Sequence, residues 1–68
     1  MMLRTLIINS APGTKFVIYH VDDSLVWAGT KEQSYGEFMS MYGRFKVRHY
    51  GPCYNKDDGS YISVSLKG

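Results

Sequence analysis

The 68-residue sequence predicts a single α+β domain: a mostly antiparallel sheet of about five strands with one helix packed on one face. Three observations predict it. Short apolar runs rich in β-branched and aromatic residues recur, bounded by Gly, Pro, Asn and Asp. Between residues 30 and 43 the apolar period changes to that of a helix. The last run, "SYISVSL", alternates apolar and polar positions as a half-buried strand does. A small, partly closed barrel with one helix is the alternative, because closing a sheet removes its edges.

The elements follow in order. "LRTLII", residues 3–8, is short and rich in β-formers and reads as a first strand. Pro12-Gly13 turns the chain, with Pro presetting φ and Gly accepting a positive one. "KFVIYHV", residues 15–21, is apolar on both faces: Phe16 and Ile18 on one, Val17, Tyr19 and Val21 on the other. That pattern suits a strand covered on both sides. "DDS" turns the chain again, and "LVWAG", residues 25–29, is a third strand.

Tyr35, Phe38, Met39 and Tyr42 then fall at i, i+3, i+4 and i+7, one stripe of an amphipathic helix. Thr30 and Gln33 have capping-box spacing, and Gly43 is placed as a left-handed stop. Gly36 inside this helix costs about 1 kcal/mol against Ala. "RFKVRHY", residues 44–50, reads as a fourth strand with Phe45 and Val47 in the core. "GPCYNKDDG", residues 51–59, reads as a loop in which Asp57-Asp58-Gly59 makes a turn. "SYISVSL" closes the order β-β-β-α-β-β.

Composition narrows function by exclusion. The chain is 44% apolar and 15% aromatic, with six Tyr, three Phe and one Trp, which argues against disorder. A core this small is marginal unless something reinforces it. One cysteine forms no internal disulfide, so association with a partner or a second copy gains weight. The apolar stretch in "MMLRTLIINS" is too short for a secretory signal, and no run approaches the roughly 18 apolar residues of a membrane span. With a lone thiol, these readings predict a cytoplasmic protein without a membrane partner.

Catalytic and metal chemistry find little material. A structural zinc site takes four Cys or His ligands, and the chain has three such residues, Cys53, His20 and His49. "NKDDG" lacks the alternating carboxylates and final Glu of a calcium loop. Cys53 with His49 lacks a third group to orient it. Glu32 and Glu37 fit a solvated helix face. "APGT" links two strands without the Lys-Ser/Thr ending of a phosphate loop. No enzyme, cofactor or metal is predicted.

Binding is the remaining class. With Phe45 and Val47 inward, the other face of the sheet would carry Lys46, Arg48, Tyr50, Tyr61, Ser63 and Ser65. Tyr, Trp and Arg combine large area with a polar handle, as interface anchors do. The expected function is therefore a small non-enzymatic interaction protein. It would bind and inhibit a larger protein or assembly, in the manner of bacteriophage accessory factors. The expected contact residues are Lys46, Arg48, Tyr50 and Tyr61, with Tyr54 in the long loop and Trp27. Core is the simpler place for Trp27, and a plain solvated surface is the simpler account of the whole face.

Single-stranded RNA or DNA is the alternative partner, with rings stacking on bases and cations holding phosphates. The mild net charge of +2 gives this no support. "YGRFKVRHY" also lacks the Gly-aromatic-Gly/Ala-aromatic-Val order of RNA-recognition-motif strands, since charged residues interrupt Gly43, Phe45 and Val47. Homo-oligomerisation through strand edges or the second sheet face is a third expectation.

Overall fold

Residues 1–68 are described by a computed structural model. The chain is α+β and runs α1 (Leu3–Ile8), β1 (Lys15–Tyr19), β2 (Leu25–Thr30), α2 (Lys31–Ser34), α3 (Glu37–Tyr42), β3 (Val47–Asn55) and β4 (Gly59–Leu66). Four strands form one open sheet in the order β2-β1-β4-β3. Two antiparallel hairpins, β1–β2 and β3–β4, lie side by side, and β1 runs parallel to β4 between them. The expected five-stranded sheet, single helix and partly closed barrel are thus replaced by a mixed four-stranded open sheet with three short helices.

The first correction is at residues 3–8, a helix rather than a strand. Leu3, Leu6 and Ile7 stand at helical spacing, and Leu3 and Ile7 are fully buried. A helix of six residues has little stability of its own, so its ends are held from outside. The Leu3 and Arg4 amides donate to the carbonyls of Phe45 (2.8 Å) and Gly43 (2.9 Å). At the other end the Lys31 ammonium donates to the carbonyls of Ile8 (2.9 Å) and Ser10 (2.6 Å), a cation where the helix leaves carbonyls unpaired.

The second correction is at Gly36. Its φ of 95° breaks the expected single helix into α2 and α3. The capping box does form: the Thr30 hydroxyl accepts from the Gln33 amide (3.3 Å), and Gln33 Oε1 accepts from the Thr30 amide (2.9 Å). Gly43 is not left-handed, since its φ is −57°. It is glycine for lack of space. A Cβ there would lie 2.5 Å from the Met39 carbonyl oxygen and 3.3 Å from Arg4 Cβ.

The third correction lies at residues 51–59, where β3 continues through Pro52 to Asn55. Proline lacks a ladder donor, and β3 tolerates it because it is an edge strand. The turn sits at Lys56–Asp58, with Gly59 at φ 80° and the Asp57 amide donating to Asn55 Oδ1 (2.8 Å). A bulge at Arg48 shifts the register, so Val47 faces Leu66 while His49 faces Ser65.

All three helices lie on one side of the sheet. There Phe16 and Ile18 of β1 and Val64 and Leu66 of β4 meet Leu3 and Ile7 in a fully buried core. Beside it runs a ladder of rings, Trp27 on Phe38 (centroids 4.4 Å apart), Phe38 on Tyr42 (5.3 Å) and Tyr42 on Phe45 (5.1 Å). Phe38, Met39 and Tyr42 of the expected stripe pack against the core. Phe45, expected within the core, ends the ladder at 41% exposure.

Gly43→Ala should therefore destabilise the fold by about 1–3 kcal/mol, the usual cost of overpacking. Gly51→Ala, with nothing within 4 Å of the new methyl, should be neutral or stabilising by up to about 1 kcal/mol. Urea denaturation of the two variants against the parent chain measures both.

Candidate binding face

The side of the sheet away from the helices has no covering layer. Side chains alternate along a strand, so the register fixes which residues it carries. Three rows cross all four strands. One holds Thr30, Lys15, Tyr61 and Cys53; the next, Ala28, Val17, Ser63 and Gly51; the third, Leu25, Tyr19, Ser65 and His49. The middle row is built of small residues, and Tyr61 and Tyr19 rise on either side of it. Val17, Tyr19, Tyr61 and Ser63 are half-buried, while Leu25 is exposed.

Over β1 and β2 this relief opens a depression of about 440 Å³, floored by Val17 and Ala28 and walled by Tyr19 and Tyr61. The Lys15 ammonium closes one end by donating to the Asp58 carbonyl (2.8 Å). An apolar floor with hydroxyls at its rim is suited to an aromatic or aliphatic side chain from a partner. His49 and Cys53 are four residues apart on an extended strand, about 13 Å, too far to share a metal ion or a proton.

Tyr61 has a distinct electrostatic setting. Partial loss of water around the ring pushes its hydroxyl above the ordinary tyrosine value, and the neighbouring Cys53 adds to the rise through charge and hydrogen bonding. Cys53 is its direct partner across the β3–β4 pair. In the β1–β2 turn the opposite shift occurs. Asp22 is held below the usual aspartate value, chiefly by the Ser24 hydroxyl (2.7 Å) and then by the Ser24 amide (3.1 Å).

The residues expected to share one basic-aromatic face do not share it. Of these, Tyr61, Ser63 and Ser65 are on the open side. Tyr50 lies opposite Val64 and faces the helices, lining a groove with Met1, Leu6, Phe16 and Ile62. Tyr54, opposite Ser60, is 74% exposed near the tip of the hairpin and belongs to a strand, not a loop. Trp27 is on the helix side, its ring over Gly29, where an added Cβ would come within 2.7 Å of it. Lys46 precedes β3 and bridges to Met2, and Arg48 is the bulged residue, its guanidinium 3.2 Å from His49 Nε2.

The reason is the bulge. One extra residue moves Tyr50 to the helix side and brings His49 to the open one. Tyr19 and Val17 belong to the open face although they were not among the expected contacts. The double-sided apolarity of "KFVIY" was the signal for them.

Because the folded chain favours the neutral Tyr61 phenol, this contribution to stability is present below the unfolded tyrosine value of about 10 and is lost as pH rises through the higher folded value. Ultraviolet titration of phenolate formation should show one tyrosine ionising late. That step should vanish in Tyr61→Phe and move earlier in Cys53→Ala. An unchanged titration in both variants would remove the Tyr61–Cys53 coupling.

Comparison with protein-family models, with curated proteins and with solved structures finds no match to this chain.

Proposed function

We propose that this chain is a small non-enzymatic binding protein that seats its open sheet face on a larger protein or assembly. The observation that carries the reading is the uncovered four-stranded face, with Tyr19 and Tyr61 standing on either side of a row of small residues. Rigid rings on a strand scaffold lose little entropy on binding, and the small row between them lets a partner approach the backbone. Val17 and Leu25 add apolar area at the same face.

Size supports the same mode. A standard interface takes roughly 800 Å² from each partner. The chain exposes 4525 Å² in all, so one such contact uses roughly a sixth of its surface. A protein of this shape acts by covering, and it inhibits where the covered surface is a working one. The accessory or inhibitor role read from the sequence is carried forward in that sense.

A second reading, nucleic-acid binding, draws no support from this face. Stacking binders set free cations beside rings, whereas the one lysine in these rows, Lys15, has its ammonium bound to the Asp58 carbonyl.

Affinity capture from lysate with the parent chain and with Tyr19→Ser/Tyr61→Ser tests the proposal. The double variant, shown folded by circular dichroism, should lose a partner that Tyr54→Ser retains. Retention of every partner by the double variant would overturn the site. Light scattering over a concentration series separates self-association: a mass that rises toward a dimer and falls back in the double variant would assign the face to a second copy.

A further inference from the structure

We propose that the α3–β3 junction is a second binding site, for the phosphodiester backbone of nucleic acid. This site is independent of the open face. Five of the eight Lys and Arg residues converge there: Arg4, Arg44, Lys46, Arg48 and Lys67. Only Arg44, Lys46 and Arg48 are neighbours in sequence. Backbone hydrogen bonds bring in the other two. The Arg4 amide donates to the Gly43 carbonyl (2.9 Å), and the Lys67 amide donates to the Lys46 carbonyl (2.8 Å). The Val47 amide donates to the Met1 carbonyl (2.8 Å), which ties the segment before α1 to the same junction.

These cations are not neutralised within the protein. No carboxylate oxygen lies within 4.0 Å of any of their charged groups, and the guanidinium of Arg48 bonds only the neighbouring imidazole. Lys15 and Lys31, by contrast, have their ammonium groups bound to backbone carbonyls. A net charge of +2 therefore hides a strong local asymmetry.

The junction also has shape. Arg4 and Arg44 flank an open depression of about 480 Å³ that Ser40, Gly36 and Gly43 line with them. The backbone brings the two residues to one place, since the Arg4 amide donates to the carbonyl of Gly43, the residue before Arg44. Two guanidinium forks at one polar depression match the non-bridging oxygens of a phosphate. Lys46, Arg48 and Lys67 add three cations at the adjoining start of β3 and end of β4, where a chain of successive phosphates would continue. Carboxylates fit such forks singly, whereas several cations at one junction match the repeated charge of a phosphodiester chain.

Fluorescence anisotropy with a labelled mixed-sequence single strand and its duplex, at about 50 mM and about 200 mM salt, tests the site. Binding is expected at the lower salt and should weaken steeply at the higher. Arg4→Ala/Arg44→Ala keeps the Cβ contact at Gly43 and should lower the slope of log affinity against log salt by about 0.7–0.9 per arginine removed. Lys46→Gln/Lys67→Gln, which leaves the helix junction untouched, should lower it likewise, and Tyr61→Ser should leave it unchanged. No binding at the lower salt, or a slope unaltered in both double variants, would overturn the proposal. Competition by poly-glutamate as effective as that by an equal charge of unlabelled oligonucleotide would overturn the assignment to phosphodiesters.

Discussion

Leu3 and Ile7, one helical turn apart, press α1 onto the line where β1 meets β4. With the four sheet residues beneath them, Phe16, Ile18, Val64 and Leu66, they make the fully buried core. A domain of this length holds on the order of 3–10 kcal/mol of net stability. Truncating one buried leucine or isoleucine to alanine costs about 2–5 kcal/mol. The contact between α1 and the sheet is thus of the same size as the whole margin. It explains why so short a helix is tied at both ends, by the carbonyls of Gly43 and Phe45 at its start and by the Lys31 ammonium at its finish.

Concentrating the apolar residues under three small helices leaves nothing to cover the reverse of the sheet. The outer edges are handled differently. β3 carries Pro52, the Arg48 bulge and flanking cations, all of which discourage a further strand from pairing. On β2 the Thr30 amide is taken by the Gln33 side chain, so the capping box of α2 also occupies part of an open edge. The broad face remains the accessible surface with mixed apolar and hydroxyl character. The cations collect at the one place where both termini of the fold and the α3–β3 connection meet.

Much of this was legible in the residues and some was not, for identifiable reasons. β1, β2 and β4, the Thr30–Gln33 cap and the helical stripe of Phe38, Met39 and Tyr42 agree with local pattern. "LRTLII" misleads because its β-branched residues favour a strand locally, while its helix depends on distant carbonyls and on burial. "GPCYN" misleads because Gly and Pro mark loops in general, yet are admissible on an edge strand. Gly36 is costly to a helix by its type, but the point at which the helix divides is set by its positive φ, which the residue type alone does not fix. For the candidate site the alternation of "KFVIY" and "SYISVSL" carried the information, whereas in "RFKVRHY" the bulge at Arg48 reversed it from His49 onward.

The parallel pairing of β1 with β4 has one more consequence. Each hairpin is local and closes on its own residues, but their join unites segments more than forty positions apart. The molecule is two hairpin units joined along the β1–β4 line and by contacts of residues 1–4 with residues 43–47. If that join opens while the hairpins persist, each half presents an unpaired strand whose natural complement is the other half of any copy nearby. Exchange of halves between molecules would rebuild the β1–β4 pairing in a pair, with the α2–α3 segment as the crossing arm. The same line that gives the monomer its core makes concentration a variable of its fold.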